Sequence, residues 1–311
     1  MNTEPQNPIL IIAGPTACGK SGLSLAAADK YNGVIINCDS MQVYRELRLL
    51  TARPSLEDEA KAPHKLYGVI PAAEACSAGI WRELAVTEIE KCWQSDQLPI
   101  ITGGTGLYIK ALMEGMTEIP EIPAEIRTEA TERRNEIGPE AFHQELSKFD
   151  PVSAERLNPT DSQRMIRAYE VYLGTERSLT DWHKDAPATP PLAANYQAVI
   201  FEPPREELYA RCEARFDQMI EIGALAEVRA LMALNLDPNL PAMKALGVPE
   251  LIAFLGDEIP LAEAVNKAKQ STRRYAKRQM TWFRGQILQK YSINAQYSES
   301  LLPDIFAKIV I

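Results

Sequence analysis

The chain has 311 residues, 46% of them hydrophobic, enough for one large core or two smaller ones. No apolar run approaches the roughly 18 residues of a membrane span, and the opening MNTEPQNP lacks the basic and apolar stretches of a secretory leader, so a cytoplasmic protein without membrane attachment is expected. The formal net charge of −9 taken alone argues against a nucleic-acid partner, and five cysteines (Cys18, Cys38, Cys76, Cys92, Cys212) without a CxxC pair suggest neither a disulfide framework nor a zinc site.

The run ILIIAG reads as a buried first strand and SGLSLAAADKY as a helix; between them lies Gly14-Pro15-Thr16-Ala17-Cys18-Gly19-Lys20-Ser21, which fits GxxxxGK[ST]. Backbone amides of such a loop and of the helix start converge on an anion, Lys20 adds positive charge, and the Ser21 hydroxyl suits Mg²⁺. The motif specifies a diphosphate without saying which one. A second apolar run, VIINCDS, places Asp39 at the carboxyl end of the second strand, on the side where the phosphate loop opens. Asp39 is then a magnesium ligand, a base, or simply a cap for the next segment.

A third run, PIITGG, ends in Thr102-Gly103-Gly104-Thr105-Gly106 without the acid that a hydrolase of nucleoside triphosphates would carry there. These glycines allow close approach of a ligand, and Thr105 supplies a hydroxyl to bond it. The alternation of apolar runs with helix-length stretches predicts an α/β core: a P-loop NTPase-like parallel sheet with flanking helices. TEIPEIPAEIR opens a charged, helix-patterned stretch read as an all-helical insertion over 119–197, leaving 1–118 and 198–311 as the core. The Pro- and Ala-rich DAPATPPLAANY leads into QAVIFEPP, a return strand.

Two long helical regions close the chain. The second carries eight basic residues from Lys267 to Lys290 (Lys267, Lys269, Arg273, Arg274, Lys277, Arg278, Arg284, Lys290) and no Asp or Glu. That local charge points to RNA, while Ala268, Thr272, Tyr275, Gln279 and Trp282 recur at helical spacing as a packing face. His64, His143 and His183 show no ligand spacing.

Taken together, GPTACGKS, DSMQVYRE, ITGGTGLYIKAL, DSQRMIRAYEVY and TRRYAKRQMTWFR, in this order across nearly the whole chain, resemble the tRNA dimethylallyltransferases, or IPP transferases. The resemblance implies transfer of dimethylallyl from dimethylallyl diphosphate to N6 of the adenosine immediately 3′ of the anticodon, with Mg²⁺ and release of diphosphate. It implies that Gly14 to Ser21 (Gly14, Pro15, Thr16, Ala17, Cys18, Gly19, Lys20, Ser21) hold the donor diphosphate with help from Arg211, and that Asp39 is the base, with Thr105 and Lys20 beside it. It further implies tRNA contacts at Asp39, Ser40, Met41, Gln42, Thr105 and Arg127, and at Gln163, Arg164, Met165, Ile166 and Arg167 in the insertion. The partner is then the anticodon stem-loop, and a monomer is expected.

The chain departs from the family pattern at Cys18, where Ser is usual, and at Gly247-Val248-Pro249, where Gly-Tyr-Lys/Arg is common. It also lacks the zinc finger of eukaryotic relatives. Three rival readings remain at this level: a small-molecule kinase using ATP in the same loop, a nucleotide-regulated RNA-binding protein, and the related adenylate prenyltransferase with AMP as acceptor.

Overall fold

The computed structural model describes residues 7–185, 188–287 and 289–310. Residues 1–6, on which the reading of the amino terminus rests, lie outside the described residues, as do 186–187 of the Pro- and Ala-rich run and residue 288 of the last long helical region. Six strands form one sheet: β1 (Pro8–Ala13), β2 (Gly33–Asn37), β3 (His64–Lys65), β4 (Leu98–Gly103), β5 (Asn195–Phe201) and β6 (Tyr291–Ile293). Their order is β3-β2-β4-β1-β5-β6, and every pairing is parallel.

Helices follow in chain order: α1 (Lys20–Tyr31), α2 (Leu56–Lys61), α3 (Ala78–Gln94), α4 (Gly106–Met113), α5 (Ala124–Ser147), α6 (Pro151–Arg156), α7 (Ser162–Thr175), α8 (Leu179–Asp185), α9 (Arg205–Glu221), α10 (Ala224–Met232), α11 (Val248–Leu255), α12 (Leu261–Gln286) and α13 (Leu302–Phe306). Strands covered on both faces read as unbroken apolar runs, because alternate side chains enter separate cores. Ile9 and Ile11 pack in one with Trp81, Ala85 and Ile89 of α3, and Leu10 and Ile12 in the other with Leu23 of α1, Leu208 of α9 and Ala276 of α12. The α/β reading with a parallel sheet therefore describes this core.

The chain divides into two compact units, Met1–Met113 with Pro191–Ile311, and Glu114–Pro190. The division falls several residues before the edges at 119 and 197 read from composition, and β5 already begins at Asn195 because its pairing with Pro8 and Ile9 of β1 extends the strand past its apolar stretch. The second unit holds α5 to α8. Gly138 (φ 81°) kinks α5 ahead of Pro139, and Asp150 caps α6 through the Ser153 amide at 3.0 Å. A small core of Phe142, Leu146, Ala154, Met165 and Ala168 holds these helices together. Among the described residues no helix is long and apolar enough to cross a membrane.

Candidate active site

The phosphate loop leaves β1 at Ala13 and enters α1 through Gly19, whose φ of 95° lies in the left-handed region that side chains disfavour. Gly19 caps α1 with no side-chain hydrogen bond, so the first amides of the helix keep their positive end for an anion. The loop carbonyls are held instead: Lys20 Nζ donates to Gly14 O at 3.0 Å and to Pro15 O at 2.8 Å. Ser24 and Thr102 share a buried hydroxyl hydrogen bond of 2.8 Å that ties α1 to β4. Cys18 is fully buried, so its thiol takes no part in lining the site.

Asp39 follows β2, where the Cys38 amide donates to Thr102 O at 2.7 Å. Asp39 Oδ1 accepts from the Met41 amide at 2.9 Å, a local turn that fixes the carboxylate, and Asn37 Oδ1 accepts from the Asp39 amide at 2.9 Å. The second glycine cluster reaches the same place: the Thr105 amide donates to Cys38 O at 3.1 Å, and Thr105 Oγ1 accepts from the Ser40 amide at 2.9 Å. Tyr67 and Tyr275 flank the carboxylate. Burial, and then the negative charge of Asp39, pushes both phenols well above their ordinary range.

Two cavities meet at Thr16, Asp39, Thr51 and Arg215. One, of about 420 Å³, is polar in character and is lined by the phosphate loop with Lys20 and Ser21, and by Gln42, Arg211 and Gln218. The other, of about 240 Å³, has apolar walls from Met41, Leu50, Phe216, Met219 and Leu246, with Tyr275 and Arg278 at its edge. Polar and apolar compartments joined beside a carboxylate suit a substrate with a charged head and a hydrocarbon end, with a second reactant at the junction.

Three residues here escape sequence reasoning. Arg215 lies one turn beyond Arg211 on α9 and donates to Thr16 Oγ1, whereas Arg211 is exposed. Burial holds the Arg215 guanidinium below its usual value, with Asp39 among the charges opposing that shift. Its spacing from Arg211 on one helical face was the available signal. Gln279, read as a packing position, is buried but polar in use: its Oε1 accepts from the Thr16 amide and its Nε2 donates to Gly104 O, both at 2.8 Å, joining the two glycine-rich loops. Glu227 of α10 accepts from the amides of Arg48 and Leu49 at 2.7 Å and of Leu50 at 3.0 Å, fixing the turn that lines both cavities. Nothing in the sequence around Glu227 signals this role.

The other predicted contacts fall in the second unit. Arg127, Gln163, Arg164 and Arg167 are exposed, and Ile166 is half-buried. Met165 is fully buried in the small core, which corrects its reading as a contact residue: its side chain stabilises α7 against Phe142 and Leu146. Arg167 Nη1 lies 2.7 Å from the buried Glu170, and Arg127 Nε 3.9 Å from it. Five of the eight residues of the basic stripe form salt bridges. Lys267, Lys269, Arg273, Arg284 and Lys290 pair with Glu263, Asp217, Glu213, Glu202 and Glu202. Among the described residues Arg274, Lys277 and Arg278 are exposed and form no salt bridge.

Residues 42–286 match the model of the IPP transferase family. The chain is 52% identical over 302 residues to a tRNA dimethylallyltransferase of Rhodospirillum rubrum, covering 96% of this chain and 93% of the relative. It is 51% identical to the protein of that name from Paramagnetospirillum magneticum, covering 99% and 97%. Among solved structures, the tRNA isopentenylpyrophosphate transferase of Bacillus halodurans superposes with a TM-score of 0.70 at 30% identity, covering 97% of this chain and 96% of that one. A eukaryotic dimethylallyltransferase acting on tRNA gives a TM-score of 0.79 at 25% identity, covering 98% and 80%.

Proposed function

The chain belongs to the IPP transferase family, and from that premise we propose how its residues carry out their part of the reaction. The protein is a tRNA dimethylallyltransferase, a prenyltransferase of tRNA modification. The donor is dimethylallyl diphosphate and the acceptor atom is N6 of the adenosine 3′ to the anticodon. The meeting of a cationic, loop-lined cavity with an apolar one at Asp39 is the observation that carries this reading.

The adenine amine is a weak nucleophile, because its lone pair is delocalised into the ring. As N6 bonds to the allylic carbon and the carbon–oxygen bond to the diphosphate breaks, Asp39 takes the N6 proton, a contribution on the order of 10²–10⁴ in rate for a positioned base. The Met41 amide bond to Asp39 Oδ1 orients that carboxylate. Negative charge gathering on the leaving diphosphate is met by the amides of Ala17 to Ser21, by Lys20 and by Arg215, with Arg211 at the rim, while the Thr16 amide is held by Gln279. Leu50, Phe216 and Met219 exclude water, which would compete for the same carbon.

Ser21 and Asp39 line the cavity that holds the loop, and their hard oxygen atoms suit magnesium, which commonly takes only one or two protein ligands besides substrate phosphates. Ser21 is the residue placed to hold the ion, which when bound would neutralise charge on the diphosphate.

The target base cannot react while stacked, so it is extruded toward Asp39, where Thr105, Ser40, Met41 and Gln42 surround it. On the helical unit, Arg127, Gln163, Arg164 and Arg167 offer donors to the tRNA backbone. The protein acts in the cytoplasm as a monomer.

The test is incubation with labelled dimethylallyl diphosphate, Mg²⁺ and either unmodified tRNA or AMP. Label in tRNA alone is expected; label in AMP alone, or in neither, defeats the reading.

A further inference from the structure

We propose that Gln296 and Tyr297, in the segment that follows β6, are positioning residues that clamp the phosphate loop from behind and so set its affinity for the prenyl donor. Both lie beyond residue 286, where the family match ends, and neither lines either cavity. Tyr297 can act on the reaction only through the loop, and Gln296 through the loop and through Arg211, whose Nη1 lies 3.5 Å from its side chain. The proposal rests on the reading that this loop holds the donor diphosphate.

When the amides of a phosphate loop converge on an anion, the carbonyls of the same peptides point away and need donors of their own. Lys20 serves Gly14 O and Pro15 O, and the donors for Ala17 O and Cys18 O come from the terminal segment. The Tyr297 amide donates to Cys18 O at 3.2 Å. The Gln296 side-chain amide lies 3.2 Å from both Ala17 O and Cys18 O and 3.5 Å from Arg211 Nη1; with its nitrogen turned to the loop, the orientation that satisfies the two shorter contacts, it donates to both carbonyls. A peptide whose carbonyl is already hydrogen-bonded presents a more polarised N–H to the ligand on its other side.

The ring of Tyr297 is the second half of the clamp. It packs edge-on to Phe201 at a centroid distance of 6.5 Å, and a Cβ placed on Gly22 would sit 2.8 Å from its Cδ1 atom. A Cβ on Gly19 would lie 3.3 Å from Tyr297 Cγ and overlap its Cβ. Gly22 is inside α1, where glycine ordinarily costs stability relative to alanine. The ring explains why that cost is carried: the terminal segment occupies the space that a side chain would take.

The clamp is anchored independently of the loop. Lys290 Nζ pairs with Glu202 Oε1 at 2.7 Å, Ser292 Oγ donates to the same oxygen at 3.1 Å, and the Glu202 amide donates to Ile293 O at 2.8 Å. Tyr297 is therefore held by the end of β5, next to the strand from which the loop departs.

The experiment compares the full-length protein with Tyr297→Ala, Tyr297→Phe, Gly22→Ala and the double variant Gly22→Ala/Tyr297→Ala. It measures kcat and KM for dimethylallyl diphosphate, KM for tRNA, and hydrogen–deuterium exchange of residues 16–22 without substrates. In Tyr297→Ala the donor KM should rise about tenfold, the scale of one hydrogen bond to a charged ligand, with tRNA KM and kcat changing by less than about threefold. Tyr297→Phe should restore the donor KM, and exchange of the loop amides should rise in the alanine variant alone. Gly22→Ala should raise the donor KM, and the double variant should not raise it further.

An unchanged donor KM in Tyr297→Ala, equal damage from the phenylalanine variant, or additive effects of the two alanines would each overturn the clamp. Failure of the donor reading has a different signature: the wild type transfers nothing from dimethylallyl diphosphate to tRNA, while loop exchange still rises in Tyr297→Ala.

Discussion

Gln279 Oε1 accepts a hydrogen bond of 2.8 Å from the backbone amide of Thr16, so a side chain of α12 sets the conformation of a loop 263 positions earlier. The same side chain donates to Gly104 O, which makes one buried amide the bridge between the phosphate loop and the glycine cluster that positions Thr105. Replacement by an apolar residue of similar size leaves a buried N–H and a buried carbonyl without partners. Gln279→Leu should lower stability by about 1–3 kcal/mol and weaken binding of diphosphate, both measurable by thermal unfolding with and without that ligand. Unchanged melting in both conditions would show that the bridge is dispensable.

The two arginines of α9 should separate. Arg215 bonds Thr16 and stands where both cavities meet, whereas Arg211 is exposed at the rim of one. Arg215→Ala is expected to weaken donor binding about ten- to hundredfold, the range of a charge-assisted hydrogen bond, and Arg211→Ala only a few-fold. Calorimetric titration with a non-reactive thio analogue of the donor measures both; the reverse order would return the main role to Arg211.

The strand-loop-helix at Gly14 to Ser21, the place of Asp39 after the second strand and the turn at Gly103 to Gly106 were legible because each is written in a few adjacent residues. Arg215, Gln279 and Glu227 were not, since each acts on a backbone atom or hydroxyl more than a hundred positions away, and only Arg215 carries a local sign, its one-turn spacing from Arg211. Gln279 fell on an apolar helical periodicity that is real, and only the fold reveals two polar loops opposite it. The pairing within the basic stripe was hidden for the same reason. Its neutralising acids, Glu202, Glu213 and Asp217, come from β5's end and α9, far from α12 in sequence.

Salt dependence tests the stripe. Arg274, Lys277 and Arg278 are exposed and outside salt bridges among the described residues, while Lys267 is paired with Glu263 at 2.7 Å on the same helix. If the unpaired three meet tRNA phosphates, each alanine substitution reduces the slope of log affinity against log salt by about 1, and Lys267→Ala leaves it nearly unchanged. Filter binding across a salt series gives the slopes. Equal slopes for all four variants would remove α12 from the interface.

Acid sensitivity should report on Glu202. Burial alone would raise its carboxyl, but hydrogen bonds from Lys290 and Ser292 and the nearby charges hold it below the ordinary value of 4.5. A carboxyl depressed in the folded state adds stability above the unfolded pKa, and that stability is lost as pH falls through the folded value. The melting temperature should therefore drop below about pH 4.5, and Glu202→Gln should start lower at neutral pH and show a shallower acid limb. Parallel limbs for the two proteins would mean that Glu202 does not anchor the terminal segment electrostatically.

Asp39 carries the chemistry in this account, and the most direct measurement is single-turnover prenyl transfer to tRNA by Asp39→Ala alongside its affinity for the donor. The account predicts a transfer rate lower by about 10²–10⁴, as for loss of a positioned base, with the donor dissociation constant changed no more than a few-fold. A variant that transfers at close to the wild-type rate, or that fails only because the donor no longer binds, would contradict it.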